Sequence, residues 1–311
     1  HHYFRTKRTG RGIYPITPKE FLSEIENLQK HGWRIGNEND IIAHEYKELK
    51  NNDKVAVLTF DDGLQEQFGV ITTLCESKIA PIFYIPTLPY TDNKVLPVHK
   101  LQMIRSKIAD EKLFKDLDDR FNFCTFRFDE HFLNTQYRYD SKIARKIKYF
   151  LNFVLSFEES NEWIRIYFNK TFGDESKIVQ SMYFSKDEIK FLASKSQIGS
   201  HAHSHLPLAS INKKEMLNEL QNSKDIITKI SGLEPKGISY PYGGKSSINK
   251  EVFKTAKFSG YQYGLTMNRG VNRGDLRKNR YSLKRIDVND LDEWIASWKI
   301  FWKIKKLIYR D

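Results

Sequence analysis

The sequence TFDDG at residues 59–63 decides the fold and the site, because it places two carboxylates directly after an apolar strand. The preceding residues, VAVL at 55–58, are apolar and largely β-branched, which predicts a buried strand. Adjacent buried carboxylates are unfavourable unless a cation offsets one charge. Asp61 and Asp62 are therefore candidates for a general base next to a cation ligand, and an ordinary Asp-Asp-Gly turn is the alternative.

A second motif is SHAHSH at residues 200–205. His201 and His205 are four residues apart, so on a helical turn they share one face and can bind one ion, while His203 points elsewhere. Together with Asp62 they supply three protein ligands. Three protein ligands leave coordination positions open for water and substrate, which is typical of a catalytic metal site.

These two motifs, together with SYPYG at 239–243, resemble the polysaccharide deacetylase family, the carbohydrate esterases of family 4 that share the NodB homology domain. The resemblance covers roughly residues 50–90 and 181–290, with the motifs in the family's order. It implies an α/β fold, specifically a distorted (β/α) barrel of the NodB homology type. It also implies that Asp61 is the catalytic base and that Asp62, His201 and His205 hold the metal.

The chain departs from the family pattern at two positions. Many members carry an arginine in the third motif, paired with the catalytic aspartate, where this chain has Ser239. Many also have a late Leu-x-x-His whose histidine is the general acid, where this chain has LKRI at 283–286. The general acid is thus left open, and we predict that Arg285 approaches Asp61 from a neighbouring strand and replaces the missing arginine.

The third motif provides the remaining site predictions. A tetrahedral oxyanion needs hydrogen-bond donors, and a backbone N–H near Tyr242 is predicted to be one, which places Tyr242 among the catalytic residues. Pro241 fixes its own φ and favours an extended Tyr240, so both are predicted to contact substrate; a simple turn is the alternative. The predicted cofactor is a divalent metal ion, with Zn²⁺ in first place and Co²⁺, Ni²⁺ or Mn²⁺ as alternatives.

Alternating strand and helix patterns predict a parallel sheet. We assign residues 1–88 and 182–290 to a discontinuous deacetylase barrel, and residues 89–181 to a mostly helical insertion, since this connection is too long for a loop. The insertion is either a lid over the substrate or a packing or dimerisation element. Its two histidines, His99 and His131, are interpreted as structural.

Residues 291–311 form a predicted basic amphipathic C-terminal helix, with Ile295, Trp298 and Trp302 on one face. Together with the net charge of +12, this predicts peripheral contact with an anionic membrane surface. The alternative is that the aromatic face packs on the barrel. No nucleic-acid motif accompanies the charge, so nucleic acid is not a predicted partner.

The composition argues against several other classes of protein. No apolar run approaches the length of a membrane-spanning helix. The two cysteines, Cys75 and Cys124, are predicted to be buried free thiols, which does not indicate a disulfide-rich secreted domain. The expected location is cytoplasmic or peripheral at the inner membrane face, and a secreted or periplasmic form stays open because the chain starts at His1 without a methionine.

The predicted function is a metal-dependent hydrolase that removes an N-acetyl group from an amino sugar of a surface polysaccharide or its precursor. The predicted partner is an N-acylated amino-sugar glycan or a lipid-linked sugar. One alternative is a deformylase of a lipid-linked formamido sugar, and another is a catalytically degenerate carbohydrate-binding protein. A 2-His-1-carboxylate Fe(II) oxygenase uses the same ligand types, but its usual His-x-Asp pairing is missing.

Overall fold

A parallel β-sheet is the centre of the computed structural model, which describes residues 16–42, 54–69, 79–195, 197–273, 275–291 and 294. Within these ranges six strands pair in chain order, and two further strands form a separate parallel pair. The strands are β1 (Trp33–Gly36), β2 (Lys54–Val57), β3 (Thr59–Asp61), β4 (Ile82–Ile85), β5 (Ile198–Ser200), β6 (Gly237–Ser239), β7 (Tyr263–Arg269) and β8 (Leu283–Arg285). Every pair in the larger sheet is parallel, which confirms the predicted α/β class.

The sheet is strongly curled. β3 and β8 are its first and last strands, and in a flat sheet they would be separated by five inter-strand spacings, roughly 24 Å. Nevertheless Arg285 of β8 donates a hydrogen bond to Asp61 of β3 at 2.9 Å. The two edges of the sheet therefore face each other, as in a barrel wall.

The predicted strand at 55–60 is wrong in one respect, because it is two strands that belong to different sheets. β2 pairs with β1, whereas β3 pairs with β4. The change of partner falls at Leu58, whose carbonyl accepts a hydrogen bond from Ile82 N–H at 2.9 Å. Only the second strand enters the buried sheet, and Asp61 is its last residue.

Helices fill most of the remaining described chain. They are α1 (Pro18–Lys30), α2 (Glu38–Ile42), α3 (Leu88–Thr91), α4 (Pro97–Lys107), α5 (Asp110–Phe121), α6 (Glu130–Gln136), α7 (Lys142–Tyr149), α8 (Phe157–Thr171), α9 (Glu175–Met182), α10 (Lys186–Ser194), α11 (Lys213–Ser231) and α12 (Lys250–Phe258). Residues 65–69 are also helical, and the rest of the helix predicted near 66–77 lies outside the described residues. None of the helices in the described ranges is long and apolar enough to cross a membrane.

Local sequence explains where these helices begin and end. Asn212 and Glu215 form a reciprocal capping box at the start of α11, and Gly232 ends that helix with a left-handed φ of 78°. Thr17 and Glu20 cap α1 in the same way. Both helices therefore carry their boundary signals in the local sequence.

The segment between β4 and β5 is mostly helical, from α3 to α10, and has a hydrophobic core of its own. Trp163 is fully buried in this core, and its Nε1 donates to Asp116 Oδ2 at 2.7 Å. Arg105 is buried as well and binds Asp110 through Nε at 2.8 Å. The core has one member from the β3 side, Leu64, so the predicted insertion packs directly against the loop that follows Asp61.

A polar chain that the sequence analysis did not predict crosses the interior of the sheet. Tyr84 and Tyr263 place their hydroxyl groups 2.9 Å apart, and Tyr263 donates to the buried Glu38 at 3.0 Å. Glycines on neighbouring strands make room for the two rings. A Cβ at Gly199 would lie 2.4 Å from the Tyr84 ring, and one at Gly237 would lie 2.0 Å from Tyr263.

The C-terminal segment is described only at its start. Leu291 is buried, and Trp294 packs against Trp33 with ring centroids 5.6 Å apart. Residues 295–311 lie outside the described residues, and with them Trp298 and Trp302. Membrane contact through this helix therefore stays a prediction.

One cysteine prediction is wrong. Cys124 is exposed, because it lies in the turn Phe123–Thr125, where Phe123 occupies the buried position. Its backbone N–H donates to Asp118 at 2.6 Å. Cys75 lies outside the described residues.

The buried Glu38 leads to a prediction about pH and stability. Burial raises the pKa of Glu38, and the Tyr263 hydrogen bond and the Lys236 charge oppose that rise. A carboxyl group with a raised native pKa stabilises the fold below its unfolded pKa of about 4.3. This contribution disappears as the pH rises through the native pKa. Glu38→Gln retains an acceptor for Tyr263 but cannot ionise, so its stability relative to wild type should increase between about pH 4 and about pH 8.

Urea denaturation at both pH values measures this difference in the free energy of unfolding. Glu26→Gln is the control, since the Glu26 side chain is 66% exposed. A relative stability of Glu38→Gln that falls with rising pH would contradict the prediction.

Candidate active site

The two aspartates lie where β3 leaves the sheet. Asp61 ends the strand, and Asp62 and Gly63 then adopt left-handed φ values of 78° and 62°, which turn the chain sharply. Positive φ is uncommon for a residue other than glycine. The turn is held by Phe184 N–H, which donates to Gly63 O at 2.9 Å, and by Gln67, which donates to Asp61 O at 2.8 Å. Both carboxylates are buried.

The histidine motif follows β5 as a loop, so the expectation of a helical turn is wrong. Ala202 and His205 both have a φ of 59°, which breaks any helical run. These two left-handed residues bring His201 and His205 to the same side, with ring centroids 4.8 Å apart. His203 faces elsewhere, as predicted, and its Nδ1 lies 2.8 Å from Thr87 Oγ1.

Asp62, His201 and His205 converge. His201 Nε2 lies 3.4 Å and His205 Nε2 lies 3.5 Å from Asp62 Oδ1, and the three candidate ligand atoms are all within 4.8 Å of one another. His201 Nδ1 is 2.6 Å from the Ser239 carbonyl. Because a carbonyl only accepts, Nδ1 carries the proton, and the neutral ring presents the lone pair of Nε2 to the cluster.

The donor set fits a divalent cation. One carboxylate and two imidazoles are ligands that suit Zn²⁺ and related transition metals. All three side chains are at most 4% exposed, which makes an uncompensated carboxylate costly here. These three residues could therefore hold the predicted metal.

Asp61 faces a different partner. Arg285 Nη1 donates to Asp61 Oδ1 at 2.9 Å, and Nη2 lies 2.9 Å from Oδ2, so the guanidinium contacts both oxygens. Arg285 Nε donates to the Thr266 carbonyl at 3.1 Å, which orients the guanidinium group. Burial disfavours the guanidinium cation, but the charge and hydrogen bonds of Asp61 outweigh it and raise the pKa of Arg285. The structure thus brings together the two residues that the sequence analysis paired.

The third motif contributes Tyr242 to the site. Tyr242 has a φ of 59°, and its ring lies 5.0 Å from His205 between centroids. Its backbone N–H donates to no group within the described residues. Burial, with the Asp62 charge as a further cause, raises the pKa of the Tyr242 phenol, so it stays a neutral O–H group. That hydroxyl donates to Asn152 Oδ1 at 3.1 Å.

The other two predicted residues of this motif are placed differently. Tyr240 does not reach the site; it is fully buried in a separate hydrophobic cluster, with its ring 5.6 Å from Phe253. The reason is the alternation of side chains along the strand, which directs residue 240 to the helix-covered face. Pro241 is also buried, and its carbonyl accepts from Gly243 N–H at 2.7 Å. Substrate contact by Pro241 stays a prediction.

The helical segment contributes three residues that sequence reasoning missed as site neighbours. His99 Nε2 lies 3.3 Å from Asp62 Oδ2. Gln136 donates to the Tyr242 carbonyl at 3.3 Å, and Asn152 accepts from the Tyr242 hydroxyl. No spacing rule links these positions to the motifs, and the only signal was that His99 is a histidine.

Fold and site together define an α/β barrel with a candidate metal centre at the carboxyl ends of its strands. A model of the polysaccharide deacetylase family matches residues 163–264, a range that includes the histidine motif and the third motif but not Asp61 and Asp62. The resemblance to the polysaccharide deacetylase family is therefore confirmed over this part of the chain.

Relatives and solved structures agree with this assignment. The peptidoglycan-N-acetylmuramic acid deacetylase PdaC of Bacillus subtilis (strain 168) is 37% identical over 70 residues, which is 22% of this chain and 14% of that protein. The protein YxkH of the same organism is 29% identical over 108 residues, 34% of this chain and 37% of that protein. The aligned parts thus span less than half of either relative.

Two solved structures match almost the whole chain. The Streptococcus pyogenes deacetylase PplD in complex with acetate has a TM-score of 0.55 at 13% identity, covering 92% of this chain and 88% of that chain. IcaB from Ammonifex degensii has a TM-score of 0.55 at 14% identity, covering 96% and 94%. This likeness confirms the predicted distorted (β/α) barrel.

The cluster predicts metal binding that depends on His205. His205→Ala removes one of three ligands, so Zn²⁺ affinity should fall by more than about 100-fold, the upper figure for losing an outer partner of a metal ligand. Calorimetric titration of protein freed of metal by chelation measures this. His203→Ala is the matched control from the same loop and should bind as wild type does. Equal affinity of the His205→Ala variant would remove it from the ligand set.

The Asp61–Arg285 contact predicts a coupling in stability. Arg285→Met leaves a buried carboxylate without its cation and should lower the free energy of unfolding by about 3–5 kcal/mol. Adding Asp61→Asn to it removes the uncompensated charge and should recover part of the loss. Guanidinium denaturation in chelator is measured for the wild type, the single variants Arg285→Met and Asp61→Asn, and the double variant. Strictly additive changes in the free energy of unfolding would show that the two residues are not coupled.

Proposed function

We propose that this protein is a metal-dependent hydrolase that removes the N-acetyl group from an amino sugar of a surface polysaccharide or its precursor. The observation that carries the proposal is that the two adjacent carboxylates have different partners. Asp62 faces two imidazoles, whereas Asp61 faces the Arg285 guanidinium. One carboxylate is thereby available as a ligand and the other as a base.

The contact with Arg285 gives Asp61 the properties of a base. A neighbouring guanidinium favours the ionised carboxylate and holds it in one orientation. Amide hydrolysis needs such a group to accept a proton from the attacking water. When bound, a divalent cation supplies the Lewis-acid chemistry, polarising the amide carbonyl and acidifying water.

The chain's own residues account for the other parts of the reaction. Attack on the amide carbon forms a C–O bond and places negative charge on the carbonyl oxygen, and the Tyr242 backbone N–H is the donor we assign to that charge. Breaking the C–N bond releases an amine that needs a proton. Asp61 holds the proton taken from water and returns it, which suits a chain with Ile286 in the place of the late histidine.

The substrate class follows from the family and the charge. The relative PdaC is named for deacetylation of N-acetylmuramic acid in peptidoglycan. The net charge of +12 favours an anionic glycan or a phosphate-linked sugar precursor over a neutral one. We therefore propose an N-acetylated amino-sugar polymer or its lipid-linked precursor as the partner.

The proposal predicts acetate release that needs Asp61. Asp61→Asn is nearly isosteric but cannot accept a proton, so turnover should fall by about 10²–10⁴-fold while Zn²⁺ affinity stays the same. Acetate is measured enzymatically with N-acetylated amino-sugar oligomers, with and without chelator. Loss of metal in this variant would show that Asp61 is a ligand.

The same assay separates the alternatives. Formate release from N-formyl amino sugars, without acetate release, would identify a deformylase. Glycan binding with neither product would identify a binding protein that has lost turnover. Either outcome would overturn the deacetylase proposal.

A further inference from the structure

We infer that His99, contributed by the helical insertion, is a positioning residue for Asp62, and that Tyr183 holds His99 in the state this role needs. The inference rests on the proposed metal site, because it concerns how one of its ligands is oriented. It makes the insertion a structural part of the active site.

His99 lies against one oxygen of the Asp62 carboxylate. His99 lies in α4 and is 1% exposed. Its Nε2 is 3.3 Å from Asp62 Oδ2, whereas His201 and His205 face the other oxygen, Oδ1. His99 is not a member of the group of candidate ligands that lie within 4.8 Å of one another. It therefore faces the carboxylate oxygen of Asp62 that the two imidazoles do not face.

The contacts of His99 with Tyr183 and with Asp62 together indicate which of its nitrogens carries the proton. The Leu96 backbone N–H donates to the Tyr183 hydroxyl oxygen at 3.1 Å, so that oxygen already acts as an acceptor. The Tyr183 hydroxyl oxygen lies 2.6 Å from His99 Nδ1. Because the Asp62 carboxylate that faces Nε2 can only accept, both contacts are satisfied when the Tyr183 hydroxyl donates to Nδ1. An Nδ1 that accepts leaves the proton of the neutral ring on Nε2. His99 thus presents an N–H group to Asp62 Oδ2.

Because this N–H group is buried, its hydrogen bonding matters for the energy of the site. His99 Nε2 has no hydrogen-bond partner within the described residues, and Asp62 Oδ2 is the acceptor within reach. A buried N–H without an acceptor is costly, so small rotations that improve this contact are favoured. A donor on Oδ2 keeps Oδ1 directed at the cluster. Outer partners of this kind orient metal ligands in proteins.

The backbone links the same elements. Tyr183 forms an antiparallel bridge with Leu64, and the next residue, Phe184, donates to Gly63 O at 2.9 Å. The residues that directly follow the insertion are therefore attached to the loop that carries Asp62. Tyr183 belongs to this attachment through its backbone and to the His99 contact through its side chain.

The test is Zn²⁺ affinity, measured by competition with a chelating dye on metal-free protein. His99→Leu fills the space without a donor and should weaken binding by about 10–100-fold. His99→Gln has a side-chain N–H group that extends toward Oδ2 and should restore most of the affinity. Tyr183→Phe keeps the His99 side chain but removes the hydroxyl group that contacts Nδ1, so the loss of Zn²⁺ affinity should be smaller than in His99→Leu. His131→Gln is the control, since His131 is an exposed histidine of the same insertion.

The outcomes are distinct. A purely structural role would lower the melting temperature of both His99 variants and leave their Zn²⁺ affinity at the wild-type value, which would overturn the inference. If His99→Leu fails to fold, Tyr183→Phe decides, and unchanged affinity there would overturn it as well. Absence of Zn²⁺ binding by the wild-type protein would overturn the proposed metal site and this inference together, whereas wild-type binding with a selective loss in His99→Leu supports both.

Discussion

Two adjacent carboxylates buried at the end of one strand are the constraint on which the rest of this structure depends. Each disfavours the ionisation of the other, and neither can be hydrated at this depth. The structure gives each carboxylate a different environment: a guanidinium cation for Asp61, and a set of imidazoles that could hold a cation for Asp62. Asp61 contacts Arg285, and Asp62 contacts the histidine cluster. Because Arg285 comes from the last strand of the sheet, the ion pair also joins the two edges of the barrel.

The helical insertion contributes side chains to the candidate site. Its residues contact the site at two places: His99 lies against Asp62, and Gln136 and Asn152 hold Tyr242. A segment that only covered the substrate would not need a buried histidine behind a candidate ligand.

Much of the fold and site could be predicted because the signals are local. Capping boxes in the sequence mark the starts of α1 and α11, and strand-end motifs identified Asp62, His201 and His205 as neighbours. Local rules also explain the errors. Apolar residues at 55–60 read as one strand, since the sequence carries no mark for the change of partner at Leu58. The histidine spacing suggested a helical turn, but two left-handed residues produce the same proximity in a loop.

The sequence by itself determined the parallel α/β class, the candidate metal ligands and the pairing of Asp61 with Arg285, because short motifs at strand ends meet at one rim whenever the strands are parallel. Only the tertiary structure decided that Tyr240 lies in the core, that Cys124 is exposed and that His99 reaches Asp62. These outcomes depend on how the insertion packs on the barrel and on the face of a strand toward which a side chain points. Neither is encoded in the spacing of residues along the chain.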